Sequence, residues 1–304
     1  MKLAVEFPSV AFREGPQKVM EMARAIEEIG YDELAVFDHV VMGYPTETRP
    51  APIYPPQMPV LEALMMLSFA AAVTERVSLS TEVLVLPQRQ PVLVAKQVGT
   101  LDVLSGGRVR LGVGVGWQES EYDALGESYR TRGRRMDEAI ELLRAYWAGE
   151  RVDLAGEHYP QTAMAMAPLP PQGAKLPIWV GGVSPAALRR TGRLGDGWMG
   201  SARASDADVK AAVGEIRRHA EEAGRDPDSI GLQLMLAPPP SDAAGKAFYT
   251  DLDGVVRRAE TIKAMGFDWT GVNATAVFQA GARSVSAIID QLGQIHGRLR
   301  AVVG

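Results

Sequence analysis

PVLVAKQVGTLDVLSGGRVRLGVGVGW, residues 91–117, holds one complete helix-to-strand unit. Pro91 stands in the first turn of the helix expected over 91–105, where a missing N–H costs nothing because that turn has no partner for it. Residues 108–116 then read as a strand, with Gly112, Gly114 and Gly116 alternating with valines. Glycine weakens a strand because it packs nothing and loses much backbone entropy. Period two places all three glycines on one face. Two readings stay open for that face. It is a layer of small residues that admits bulky neighbours, or its C-terminal end lets a flat ligand lie close to backbone. A dinucleotide-binding turn is a poor match. That fingerprint requires a third glycine after two further residues, and it belongs to the first strand–helix unit of its fold, whereas this is the fourth unit here.

Working outward, short β-branched runs alternate with helical patterns along the whole chain. Strands are expected at 3–7, 33–39, 77–86, 108–116, 177–182, 196–200, 229–237 and 268–275. Helical patterns fill 15–30, 60–75, 91–105, 119–148, 184–195, 206–223, 253–265 and 282–300. Eight strand–helix units without a composition break predict a single α/β domain over 1–304, a (β/α)8 TIM barrel, in preference to an open doubly wound sheet. Three insertions interrupt the repeat: 41–59 after strand two, 149–176 before strand five, and 238–251 after strand seven. The first and third follow strands directly, on the face where barrels carry their sites.

Composition excludes several functions. The 304 residues carry a net charge of −5, so no basic footprint suggests nucleic acid. No run approaches the ~18 apolar residues of a membrane span, and the N-terminus does not resemble a signal peptide. Cysteine is absent, which removes disulfides, thiolate metal sites and cysteine nucleophiles, and fits a cytoplasmic location. No metal-binding spacing, P-loop or serine elbow is present.

The remaining polar residues at strand ends are few. Asp38 and His39 close strand two; His39 suits a general acid or hydrogen-bond donor there, or a structural cap on the strand. Glu82 lies inside strand three, where a carboxylate must be paired with an arginine or directed into a cavity. Gly181, Gly182, Val183 and Ser184 lead into the helix at 184–195. Such a turn can bind an anion through free N–H groups, while Ser184 and Pro185 also form an ordinary helix start. Glu6, at the end of strand one, is a further carboxylate at the same rim.

The segment VLVLPQRQPVLVAKQVGTLDVLSGGRVRLGVGVGW (83–117), with FDHV (37–40), PIWVGG (177–182) and GDGWM (195–199), resembles the luciferase-like superfamily and in particular its coenzyme F420-dependent branch. The resemblance covers nearly the whole chain. It implies a TIM barrel holding one flavin-like cofactor at the C-terminal ends of its strands, in a homodimer, acting on a small-molecule substrate. It places a non-prolyl cis peptide at Glu82–Val83 behind the ring, with Gly114, Val115 and Gly116 leaving room for that ring. It also implies that His39 is the active-site histidine and that Gly181, Gly182, Val183 and Ser184 form the phosphate-binding turn. One departure stands out: relatives acting on sugar phosphates carry a glutamate where this chain has Trp117. Three functions follow as alternatives: an F420-dependent oxidoreductase, an FMN-dependent monooxygenase, and a non-catalytic flavin-binding barrel. Tyr44, Tyr54, Met58, Met164 and Met166, in the insertions, suggest an apolar or aromatic substrate, and the apolar helices at 60–75 and 91–105 suggest the dimer contact.

Overall fold

The computed structural model describes residues 1–237, 245 and 247–304. Eight strands form the barrel: β1 (Lys2–Glu6), β2 (Glu33–Val36), β3 (Ser78–Thr81, resumed at Leu84–Val85), β4 (Val109–Gly114), β5 (Ile178–Gly181), β6 (Gly197–Gly200), β7 (Gly231–Met235) and β8 (Trp269–Asn273). Every neighbouring pair is parallel, and β8 returns to pair with β1 from Lys2–Trp269 to Glu6–Asn273. The sheet is therefore closed, as the eight-unit pattern predicts.

The opening segment behaves as its periodicity requires. The helix runs Pro91–Ser105, with Pro91 in its first turn and the Gln90 side chain accepting the Leu93 N–H at 2.8 Å. It ends at Gly106 in the left-handed region. Val109, Leu111 and Val113 are buried in the apolar core. Arg110, Gly112 and Gly114 alternate with them, as period two demands.

The insertions differ in kind. Residues 149–176 contain an antiparallel hairpin, Val152–Leu154 with Gln161–Met164. The 119–148 pattern divides into Glu119–Ala124 and Arg132–Trp147 around a turn at Gly126, whose φ is +71°. The 60–75 pattern is helical only over Ala63–Ala71, capped by the Glu62 carboxylate on Met65 N–H. Most of the 238–251 insertion, residues 238–244 and 246, lies outside the described residues. The strand expected at 268–275 gives way at Ala274 to a short helix, Ala274–Gln279. Its start is fixed by the Asn273 side chain, which accepts the Ala276 N–H at 2.8 Å.

The barrel interior is polar in its lower half. The Arg110 guanidinium lies between the Trp179 and Trp269 rings, 4.1 and 4.4 Å from their centroids. Its Nε donates to Glu33 Oε2 at 2.7 Å, and its Nη2 reaches both Glu33 and Gln233. Gln233 Nε2 in turn donates to Glu82 Oε1 at 2.8 Å. A ladder of polar groups thus climbs from the barrel floor to the strand ends.

Candidate active site

A cavity of about 890 Å³ opens at the C-terminal ends of the strands. Glu6, His39, Glu82, Val83, Gly114, Val115, Gly116, Gly181 and Gly182 all line it. The sequence-expected residues therefore converge, with two exceptions. Val183 is 51% exposed beside the cavity, and Ser184 caps the helix Pro185–Leu194 by accepting the Ala187 N–H at 3.3 Å.

The break in β3 shapes one wall. The Glu82–Val83 peptide is cis. Asp38, just past β2, holds the resumed strand: its Oδ2 accepts the Val85 N–H at 3.0 Å and an Arg89 nitrogen at 2.7 Å, while Oδ1 accepts the other Arg89 nitrogen at 2.8 Å. The glycine row meets this break directly. A Cβ on Gly114 would lie 2.5 Å from Val83 Cγ2, and one on Gly181 would lie 2.9 Å from Val83 Cγ1. A Cβ on Gly116 would lie 2.6 Å from Val85 Cγ1, and its φ of +67° independently favours glycine. Gly112 lies deeper, where a Cβ would strike the Thr81 carbonyl oxygen. The first reading of the row is the one this geometry supports: the glycines admit the bulky valines of the β3 break, while Gly114 and Gly116 also line the cavity.

His39 follows Asp38 at the end of β2, the strand that pairs with β3. Its Nδ1 lies 3.0 Å from Glu121 Oε2. A carboxylate accepts only, so Nδ1 carries the proton and donates. Nε2 is then the ring nitrogen left for the cavity. Glu121 Oε1 also accepts the N–H groups of Val40, at 2.5 Å, and Val41, at 3.3 Å. Burial opposes charge on Glu121, but these bonds, with that from His39 foremost, outweigh it and hold the carboxyl below its usual range. Trp117 and Tyr54 pack edge-on against the imidazole at 5.4 and 5.8 Å. Glu121 escaped sequence reading, since its only signal is an acidic residue in the first turn of a short helix after the glycine strand.

The floor carries two carboxyls. Glu6 Oε1 accepts from Asn273 Nδ2 at 2.8 Å. Burial, reinforced by the charge of Glu82, pushes Glu6 up to about 8. Burial and the charge of Glu33 push Glu82 up to about 7, against the opposing effect of Arg110. Of the insertion side chains, Tyr54 and Met58 line the cavity. Tyr44 is 60% exposed and accepts a bond from Gln57, while Met164 is exposed on the hairpin, so neither shapes this wall.

Among the described residues no group of three or more His, Cys, Asp or Glu side chains is arranged to hold a metal ion. No helix among them is long and apolar enough to cross a membrane.

Comparison with known proteins agrees with this fold. An uncharacterized protein of Mycobacterium tuberculosis is 37% identical over 67% of this chain and 72% of its own length. An F420-dependent glucose-6-phosphate dehydrogenase of Nocardia farcinica is 31% identical over 77% of this chain and 68% of its own. Among solved structures, an F420-dependent secondary alcohol dehydrogenase in complex with an F420–acetone adduct superposes with a TM-score of 0.76 at 19% identity, covering 98% of this chain and 99% of that one. The monooxygenase RslO1 of Streptomyces bottropensis gives 0.75 at 20% identity, covering 96% and 98%. At that identity the two structures speak for the fold alone. The luciferase-like monooxygenase model matches residues 5–270. This chain therefore belongs to the luciferase-like monooxygenase family.

Proposed function

We propose that this protein is an oxidoreductase that binds coenzyme F420 in the cavity and exchanges hydride with a small, largely apolar organic substrate. The observation that carries the reading is the convergence of the Glu82–Val83 break, the bare backbone of Gly114–Gly116 and the Glu121-bound His39 around one cavity. The kinship with F420-dependent dehydrogenases supports the choice of cofactor. When bound, the deazaflavin supplies or accepts the hydride. Val83, Gly114, Val115 and Gly116 are the wall suited to a planar ring. Gly181, Gly182, Val183 and Ser184 form a turn suited to the cofactor's phosphate, with Gly182 at φ +117°. His39 holds the polar edge of the substrate or ring through Nε2. Trp117, at the position where sugar-phosphate enzymes carry a glutamate, lines the cavity together with Tyr54 and argues for a substrate other than a sugar phosphate.

Met65, Leu93 and Leu104 are 71%, 56% and 68% exposed on the adjacent helices Ala63–Ala71 and Pro91–Ser105. An apolar face of this kind supports a homodimer formed through those two helices. An FMN-dependent monooxygenase is the second reading, favoured by the family to which the chain belongs.

Paired fluorescence titrations with F420 and with FMN test the proposal. Tight binding of F420 with weak binding of FMN is the expected result. Tight binding of FMN alone moves the protein to the monooxygenase reading.

A further inference from the structure

Two exposed arginines line the cavity: Arg13, in the short 3-10 helix Ser9–Glu14 after β1, and Arg203, in the turn after β6. Neither has a carboxylate partner among the described residues. The arginines beneath them differ, since Asp38 holds Arg89 and Glu33 holds Arg110. Arg13 stands on a fixed base. Its neighbour Glu14 accepts the Val285 N–H at 2.7 Å, which ties the 3-10 helix to the helix Val285–Val303. The Arg203 guanidinium lies beside the Tyr54 hydroxyl. Tyr54 packs edge-on against Trp117 at 6.1 Å and His39 at 5.8 Å, and is tilted against Phe37 at 6.2 Å. Arg203 is therefore a cation without an anion, next to a phenol donor at one end of an aromatic wall. The acids of the cavity have other partners: Asp38 has Arg89, Glu6 has Asn273 and Glu82 has Gln233. Burial pushes Glu6 up to about 8 and Glu82 up to about 7, so at neutral pH the floor repels an anion less than two free carboxylates would.

We propose that the substrate is an organic acid, that Arg203 and Tyr54 take its carboxylate, and that Arg13 supplies a second positive charge that draws the anion into the cavity. The inference rests on the oxidoreductase reading above and names the substrate class for it: a carboxylate carried on an apolar or aromatic body. The guanidinium fork matches the two oxygens of a carboxylate. The phenol keeps its proton at neutral pH and donates to the same group. Walls of low dielectric strengthen the attraction of an unpaired cation for an anion. The body of the acid then lies along Tyr54 and Trp117, which lead to the His39 ring. The carboxylate is a handle and takes no part in the hydride step.

The test uses the full chain without cofactor, so it stands apart from the F420 titration. The probes are phenylacetate and its neutral isostere phenylacetamide, each followed by Trp fluorescence at neutral pH. Phenylacetate is expected to bind about tenfold tighter than the amide, and the gap is expected to narrow as salt is added. Arg203→Gln is expected to weaken phenylacetate by about tenfold, and Arg13→Gln by a smaller factor. Both variants should leave phenylacetamide binding as in wild type, which also shows that the cavity is intact. Tyr54→Phe removes one donor and should weaken the acid more than the amide. Arg24→Gln, at an exposed arginine outside the cavity, is the control and should change neither affinity. Equal binding of acid and amide, no binding of either, or wild-type phenylacetate affinity in Arg203→Gln would each overturn the proposal. Displacement of phenylacetate by a lower concentration of inorganic phosphate would make the site one for phosphate and overturn the carboxylate. Loss of F420 binding in Arg203→Gln with phenylacetate binding retained would assign that arginine to the cofactor and overturn it as well. If F420 fails to bind while acid and amide behave as expected, the cofactor reading fails and the carboxylate site stands. If F420 binds and acid and amide bind alike, the cofactor reading stands and the carboxylate site fails.

Discussion

His39 Nδ1 and Glu121 Oε2 meet at 3.0 Å across 82 residues of sequence, joining the end of β2 to the short helix that follows β4. Glu121 accepts the Val40 and Val41 N–H groups as well, so one carboxylate fixes both the histidine and the backbone that carries it. Turning the imidazole breaks its bond to the same carboxylate that holds the loop. A ring held at one nitrogen presents the other in a constant direction, which is what a proton-transfer or hydrogen-bonding group at a hydride site requires.

His39→Ala is expected to lower turnover of any substrate found for the wild type by roughly 10²–10⁴-fold, with an unchanged circular dichroism spectrum. Glu121→Gln tests the positioning role. It keeps an acceptor oxygen for Val40 and Val41 but sets an amide N–H against the Nδ1 proton, so that bond is lost and turnover is expected to fall by at least about tenfold. The histidine Nδ1–H resonance should move in the proton NMR spectrum. Full activity in both variants would remove His39 from the chemistry.

Gly114 is expected to tolerate no side chain while Val83 faces it. Gly114→Ala brings Cβ to 2.5 Å from Val83 Cγ2. Overpacking of this kind costs about 1–3 kcal/mol and displaces the wall on which the ring would rest. Val83→Ala in the same chain should restore part of the loss, giving a non-additive double-mutant cycle in urea unfolding. Strict additivity would show that the two residues do not press on each other.

How much of this was legible in sequence depended on periodicity. The helix at 91–105 and the strand after it follow from the spacing of apolar residues, and eight repeats of that alternation favour a closed barrel over an open sheet. The glycine row was legible as a face but not as a socket, because Val83 and Val85 reach it only after β3 breaks. Glu82 was legible as a misplaced carboxylate. Its link through Gln233 to Arg110 spans 151 residues to the first partner, and no local pattern encodes such a pairing. Glu121 was missed for the same reason. Residues 149–176 read only as an insertion, since a two-stranded hairpin with three- and four-residue strands is too short to show alternation.

Arg89 is the brace of the β3 break. Its side chain is 14% exposed and that of Asp38 is fully buried, so Arg89→Met leaves a buried carboxylate without its cation. Breaking a buried pair in this way typically costs about 3–5 kcal/mol. Pairing the change with Asp38→Asn should recover much of that, because the uncompensated charge is gone. Both effects are measurable as shifts in the urea midpoint. Equal stability of Arg89→Met and wild type would mean that the break in β3 is held by packing alone.

The raised carboxyls also fix the sign of a stability effect. Glu6, pushed to about 8, and Glu82, to about 7, keep protons in the folded state that the unfolded chain releases above its ordinary glutamate range near 4.5. Between those limits the folded state binds more protons, so stability is greatest below the unfolded value and is lost as pH rises towards 7 and 8. Each proton held contributes a slope of at most about 1.4 kcal/mol per pH unit. Subtracting the urea-unfolding curve of Glu6→Gln from that of wild type, from pH 5 to pH 8, isolates this contribution from the histidines, which titrate in both proteins. Wild type should lose stability relative to the variant across that window. A difference that is flat or that rises with pH would mean that Glu6 is already ionised at pH 5, and the floor of the cavity would then be an anionic site.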